Sequence, residues 1–555
     1  MKRTIPALAV TAALLLFSCA KGATDDTIDI SGVEMPALLL DIVSANRASV
    51  FAPLAPDFWE VAAGLLTSDF NPGEDLRIAA AVRALAGSHR AWYGLSEYPS
   101  GVPVGTIARA EAASDINHFF DILRYGYAGY GYFGGDAVFH PLREAMHKRL
   151  AEMEDTITVD ALLEILAHPL REIIFDNHFG IHAFSFNAPP QSAFLNDDFI
   201  VRAAEDGYEM TIYGALHKII EITYATGEPA DEPADCIVPT ITKDGEIAYA
   251  FGLLSRTASY WRELSSVSIT VLLENRATGA TISHDLALNK VNTPWRYDPR
   301  PVEERPLIEE RNVRGIAVLE NRSMSGVWAD AREMYEEHRN FFRVGENARG
   351  KPALIIDMRW NYGGLSLLGL EWVRGFSGRP PAAQGLVAFA LATHTHEALS
   401  EGSSPPGEAN DFAFDFLPWY VAALDEWSED PLRGPQWLLL EEYPDPRLIP
   451  NDTLVVVLID GSVSSAGEIF LAELMQMENV VVAGVNTAGV RLTGGVIITA
   501  LPHSELELRF GAMSLSLRPD LAQFEGVGYP PDLWVHPRDS LERALAFIER
   551  HGIRH

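Results

Sequence analysis

A chain of 555 residues has room for about three domains of ~150 residues each and can bury a large core. Its formal net charge of −33 excludes an electrostatic grip on a phosphate backbone, because nucleic-acid binding rests on a basic patch or stripe. Cys19 and Cys236 are the only cysteines, which excludes an internal disulfide framework and most cysteine-based metal sites.

The chain opens Met1-Lys2-Arg3, continues almost wholly apolar from Thr4 to Phe17, and reaches Ser18-Cys19-Ala20-Lys21. A charged start, an apolar run too short to span as a mature helix and a small-residue cut site predict a secretory signal over residues 1–18. Leu16-Phe17-Ser18-Cys19 resembles a bacterial lipobox, with Phe17 bulkier than the usual residue. That resemblance implies a lipid on Cys19 and an exported protein, lipid-anchored in the cell envelope in the periplasm or at the outer membrane. An ordinary cleaved signal is the alternative.

From Pro36 to Phe175 apolar residues recur at three and four, as in Asp57 to Leu66 and Asp160 to Leu166, and predict an N-terminal helical domain over residues 19–175. Within it, Tyr125-Gly-Tyr-Ala-Gly129-Tyr-Gly131-Tyr-Phe-Gly134-Gly135 has the glycine spacing of a dinucleotide loop. No strand precedes it and bulky aromatics stand where backbone must approach phosphate, so the segment reads as a packed turn between helices. Residues 176–300 read as a histidine-bearing segment followed by a small β module from Ile237 to about Asn292 and a linker to Pro306. The module could be a degenerate PDZ-like domain that binds peptide by strand addition, with Phe251-Gly-Leu-Leu254 as a remnant of its carboxylate loop.

Residues 301–555 alternate strands with helices and predict an α/β domain. The strands are Gly315–Leu319, Ala353–Asp357, Leu454–Ile459 and Val480–Gly484; a helix is expected near Trp328 to Phe342 and another at Glu468 to Met475. An insertion from about Gly375 to Asn451 interrupts them, with a helical stretch at Phe416 to Trp427. In it, the two histidines of His394-Thr-His396-Glu397 would share a face if the segment were a β-strand, but it lacks a clear third ligand and is not the helical H-E-x-x-H, so no metal site is expected.

The informative turn follows the strand Leu454–Ile459. Ser465, in Ser462-Val463-Ser464-Ser465-Ala466-Gly467-Glu468, stands between that strand and a helix whose positive end stabilises developing negative charge. No lysine occurs after Lys351, so any base for this serine must be of another type. Ser462 and Ser464 are the rival serines.

Four motifs in order carry a family resemblance. Asp357-Met-Arg359-Trp-Asn361-Tyr-Gly363-Gly364 resembles D-x-R-x-N-x-G-G, Ser465-Ala466-Gly467-Glu468 resembles S-A-x-E, Gly484-Val-Asn-Thr487-Ala-Gly489 resembles G-x-x-T-x-G, and Gly528-Tyr-Pro-Pro531-Asp532 resembles G-x-x-P-D. Together they are similar to the S41 peptidases, the C-terminal processing and tricorn-like serine proteases. The resemblance implies a crotonase-like α/β catalytic domain and hydrolysis of peptides or unfolded proteins through an acyl-enzyme, with no cofactor. In the C-terminal processing branch a lysine follows T-x-G; here Val490 stands there and cannot accept a proton. The tricorn-like branch uses an upstream histidine and a glutamate near the C-terminus. Asp176-Asn177-His178 matches its D-x-H turn and Glu525 its acid.

The resemblance thus implies Ser465 as nucleophile, His178 as general base and Glu525 as the residue that orients the imidazole, with another side chain between them as an option. His182 is the second histidine in reach. The backbone N–H groups of Gly363 or Gly364 and of Ala466 would receive the oxyanion. Partners expected are a peptide or unfolded substrate and a membrane through the lipid, with oligomeric state open. The alternative reading is an inactive relative that binds a peptide or an apolar ligand. A lipase of the α/β-hydrolase type is disfavoured, since no G-x-S-x-G surrounds Ser465.

Overall fold

The computed structural model describes residues 36–66, 69–86, 105–188, 191–255, 264–291, 306–326, 331–381, 385–403, 434–439 and 448–551. Cys19 with the signal segment, the linker 292–305 and the expected helix Phe416 to Trp427 lie outside the described residues.

Helices Ala37–Val50, Phe58–Leu65 and Pro72–Ala86 come first, then strand β1 (Thr106–Ala108), helices Arg109–Gly126 and Gly135–Ala151, β2 (Thr156–Thr158) and helix Val159–Leu170. The Tyr125–Gly135 segment is a turn in which Phe133 N donates to Gly129 O, Gly134 N to Gly131 O and Gly135 N to Tyr130 O, while Ala128 N donates to Gly511 O of a later strand, Glu507–Leu517.

Short strands β3 (Gly180–Ile181) and β4 (Phe184–Ser185) precede β5 (Ser192–Ala204), β6 (Gly207–Ile212), β7 (Ala215–Tyr224), β8 (Ile237–Ile241), β9 (Ile247–Ser255), β10 (Ser266–Asn275) and β11 (Thr281–Lys290). The last seven form one antiparallel sheet, so the β module begins at Ser192 and not at Ile237. Its order is β11-β10-β7-β6-β5-β9-β8, and β11 also pairs with β5, closing five strands into a barrel from which β9 and β8 extend. Phe194, Val201, Met210, Ile219, Phe251, Val271 and Leu288 fill its own core. Its described residues contain no α-helix, and Phe251–Leu254 lies inside β9, paired with β5. That segment is strand and not a carboxylate-binding loop, because its backbone groups already serve the ladder.

The remaining strands are β12 (Glu309–Val313), β13 (Ile316–Glu320), β14 (Ala353–Asp357), β15 (Val387–Ala392), β16 (Gln436–Leu439), β17 (Leu454–Ile459), β18 (Val480–Gly484), β19 (Thr493–Ala500), β20 (Glu507–Leu517) and β21 (Leu533–Trp534). Strands β12-β13-β14-β17-β18-β21 make a sheet that is parallel except for the β12 edge. All residues of β13, β14, β17 and β18 are buried, as expected of parallel strands covered on both faces. Alternation sends Leu354, Ile356, Val455 and Val457 toward Phe341, Trp372 and Phe470 of helices Ala331–Ala348, Leu367–Ser377 and Ala466–Leu474. Ala353, Ile355, Val456 and Leu458 face Leu39 and Val43 of the first helix and Leu545 and Ile548 of the last, Ser540–Arg550.

A second sheet follows the order β16-β15-β20-β3-β4, with β19 also on β20. Gly180 pairs with Arg509 and Ile181 with Leu508, so the segment after His178 is stitched onto β20. Ile181, Leu508 and Phe510 share one core with Phe119, Tyr127 and Leu166 of the helical region.

His394, Thr395 and His396 open a helix, His394–Ser403, and are not in a strand. Asp75, fully buried, receives the N–H groups of His394 and Thr395 and caps that helix from another part of the chain, which decides helix over strand. Among the described residues no cluster of three metal-ligating side chains occurs, and no helix is long and apolar enough to cross a membrane.

Candidate active site

Strand β17 ends at Ile459, and six residues later the chain enters helix Ala466–Leu474 through Ser465. The backbone of Ser465 has φ 52° and ψ −119°, outside the regions a serine normally occupies. Such a conformation costs on the order of 1–3 kcal/mol and persists only where neighbours over-determine it. Here they do. The Glu468 carboxylate accepts from Ser465 N (3.2 Å), Val490 N (2.8 Å), Gly489 N (2.7 Å) and Thr487 Oγ1 (2.5 Å), clamping the serine turn to the 487–490 loop. Burial raises the pKa of Glu468, and the Thr487, Val490 and Gly489 donors oppose the rise. From the other side Ser464 N donates to Asn361 O, while Asn361 Nδ2 is held by Asn321.

Gly363 lies directly against this turn with φ +87°; a Cβ there would sit 2.6 Å from Ser464 O and 2.9 Å from Ser465 Cβ, so only glycine fits. Its N–H donates to Asn361 Oδ1 at 2.8 Å. The N–H groups of Gly364 and Ala466 make no hydrogen bond among the described residues. Of the three expected oxyanion donors, Gly363 is engaged in shaping the turn, and the other two have no partner among the described residues.

His178 stands two residues before β3. Its Nε2 lies 3.2 Å from Ser465 Oγ, across 287 positions of sequence, and its Nδ1 lies 2.7 Å from the Thr493 carbonyl. A carbonyl only accepts, so Nδ1 carries the proton and Nε2 presents a lone pair to the serine hydroxyl. Burial pushes the imidazole pKa below its ordinary value; Asp176 and the Thr493 carbonyl pull it up and Arg509 pushes it down. The ring is thus neutral near pH 7. His182 instead occupies the tight turn between β3 and β4 with φ 49°, its N–H on Glu507 O.

Glu525 does not touch the imidazole. Its Oε1 accepts from Asn177 N (2.8 Å) and its Oε2 from Arg491 N (3.0 Å) and Leu492 N (2.9 Å). It ties the His178 turn to the segment that enters β19. Burial and the nearby Asp176 carboxylate push its pKa up to about 8 against those three donors. The motif reading did not single out Asp176 for the site. It is fully buried and accepts from His178 N (2.9 Å), Thr493 Oγ1 (2.7 Å) and Tyr127 Oη (2.8 Å). Its signal was its place in D-x-H; Thr493 offers none, because its contribution is a backbone carbonyl.

Asp357, by contrast, builds the frame. Burial alone would raise its pKa, but Arg322 and Arg359 hold it well below the carboxylate range through paired contacts at 2.6–2.8 Å. Asp532 pairs with Arg47 and receives Val482 N, tying the first helix to the parallel sheet.

Residues 315–535 match the model of peptidase family S41. No curated protein sequence matches the chain. Among solved structures, mature CPAF is similar at 16% identity and TM-score 0.37, over 80% of this chain and 96% of that one. The photosystem II D1 C-terminal processing protease is similar at 14% identity and TM-score 0.32, over 77% and 94%. The tricorn protease is similar at 15% identity and TM-score 0.27, over 80% and 37%.

Proposed function

We propose that residues 315–535, which match the model of peptidase family S41, form a serine peptidase domain with Ser465 as its nucleophile and His178 as its general base. The observation that carries the proposal is the 3.2 Å approach of His178 Nε2 to Ser465 Oγ. Serine needs such a partner to be nucleophilic at neutral pH, and Val490 offers no alternative.

In the first step Ser465 Oγ bonds to the scissile carbonyl carbon, its proton passes to His178 Nε2, and the carbonyl electron pair moves onto oxygen. Gly364 N–H and Ala466 N–H receive that oxyanion, Ala466 at the positive end of its helix. Collapse reforms the carbonyl and breaks the C–N bond, and the imidazolium returns its proton to the leaving amine. Water then adds to the acyl-enzyme, giving a proton to Nε2; on the second collapse Ser465 recovers a proton and the acid leaves. Glu525 is a positioning residue that acts through Asn177 N–H. General base help contributes about 10² to 10⁴ in rate and one oxyanion donor about 10² to 10³. The substrates are peptides or unfolded segments, and the atoms balance without a cofactor.

Hydrolysis of an unfolded protein such as casein, followed by gel and mass spectrometry, tests this. Wild type cleaves and Ser465→Ala, with unchanged thermal unfolding, does not. A folded wild type without cleavage would favour the reading of an inactive relative that binds a peptide or an apolar ligand, and an active Ser465→Ala would remove the nucleophile.

We further propose that the protein is exported and lipid-anchored through Cys19, on the strength of the charged start, the apolar run and the lipobox-like Leu16 to Cys19. Wild type then partitions with membranes and Cys19→Ser does not; equal partitioning of the two contradicts the anchor.

A further inference from the structure

We propose that Asp176, Thr493 and Tyr127 form a positioning relay for His178, in which one buried carboxylate governs the imidazole through the residue whose carbonyl holds it. The inference rests on the reading of His178 as general base. Asp176 Oδ1 fixes the His178 backbone at 2.9 Å, while Oδ2 accepts from Thr493 Oγ1 at 2.7 Å. The same Thr493 presents its carbonyl to His178 Nδ1 at 2.7 Å. Both ends of the histidine, its backbone and its ring, are therefore referred to one group.

The relay has a third anchor in the aromatic and glycine-rich turn after helix Arg109–Gly126. Tyr127 is fully buried and donates its hydroxyl to Asp176 Oδ2 at 2.8 Å. Gly129 makes room for that ring, since a Cβ at Gly129 would lie 2.4 Å from it. This gives the Tyr125–Gly135 segment a role that neither a nucleotide loop nor a generic turn supplies: it brings a hydroxyl from the helical region to the carboxylate behind the base. Glu525 spends its bonds on Asn177, Arg491 and Leu492 N–H and is not bonded to the imidazole's acceptor.

During acylation the ring becomes an imidazolium. The Thr493 carbonyl dipole and the Asp176 charge behind it stabilise that cation and hold the Nδ1–H tautomer, the task a carboxylate performs directly in the serine triad. Charged groups acting on the ring are Asp176 on its own turn and Arg509 on β20; Tyr127 and Glu525 face Asp176 from the helical turn and the C-terminal loop.

The test is steady-state kinetics of the full chain across pH with one peptide substrate. Wild type and His178→Gln come first: activity in the former and its loss in the latter establish the base independently of the relay. Asp176→Asn is then expected to lower kcat by about 10²-fold or more with KM within about twofold, one carbonyl making the effect smaller than removal of a directly bonded carboxylate. Its acid limb of kcat/KM moves to lower pH, because a negative charge beside the ring is gone. Thr493→Val is expected to lose about 10-fold in kcat while Thr493→Ser, which keeps the hydroxyl, stays near wild type. Tyr127→Phe falls between Thr493→Ser and Asp176→Asn. Should Asp176→Asn not fold, the Thr493 pair decides alone. Wild-type kcat and an unshifted acid limb in Thr493→Val, or equal losses in Thr493→Val and Thr493→Ser, overturn the relay.

Discussion

Ser465 and His178 meet because buried polar groups hold the backbone of each, and the Thr493 carbonyl holds the His178 ring. Glu468 and Asn361 hold the serine in a conformation it would otherwise avoid, and Asp176 and Glu525 hold the histidine turn by its N–H groups. The residue types and spacing of D-x-H and S-A-x-E made both legible, and the missing lysine at Val490 directed attention to an upstream base. Thr493 was not legible, since a carbonyl acceptor carries no residue-type signature. Glu525 was legible as a position, but its partners are backbone groups that only the fold reveals. A pH dependence follows from the ring. Burial lowers its pKa, so the neutral, proton-accepting form persists below pH ~6.5 and is lost only as pH falls through the depressed value. The kcat/KM of wild type should therefore have its acid limb below the ordinary imidazole pKa; a limb at or above ~6.5 contradicts a buried neutral base.

Strands buried on both faces were the easiest elements to read, because Leu454–Ile459 and Val480–Gly484 are unbroken apolar runs. Strands β5 to β7 were not. Asn196-Asp197-Asp198 interrupts β5, and its pairing with β9 shifts between Asn196 and Val201, so the two-residue period is lost where it would be sought. The helix at His394-Thr-His396 was not legible for a different reason: its first N–H groups are capped by Asp75, more than three hundred positions earlier, and a local pattern cannot contain such a cap. Asp75→Ala removes the carboxylate that accepts from the N–H groups of His394 and Thr395, and leaves the Thr395 hydroxyl only the main-chain carbonyl of residue 75. A loss of about 1–2 kcal/mol in unfolding free energy is expected, the upper part of the capping range because the site is buried. Urea denaturation measures it, and an unchanged midpoint contradicts the capping role.

Across the whole molecule the chemistry depends on joining parts that are remote in sequence. The turn after the parallel strand β17 supplies Ser465, the second sheet receives the His178 segment on β20, and the helical region shares a core with that sheet and reaches Asp176 through Tyr127. The barrel keeps its own core. Four motifs in order were enough to indicate the fold class. They could not show that residues 176–186 leave the β module and join β20, because strand pairing at such separation leaves no local trace. The most direct measurement is the rate and site of covalent labelling by a fluorophosphonate, mapped by mass spectrometry in wild type and His178→Gln. A single adduct on Ser465 is expected, slowed by about 10² to 10⁴ in His178→Gln. An adduct on Ser462 or Ser464, an equal rate in both proteins, or no adduct on folded wild type would contradict the account.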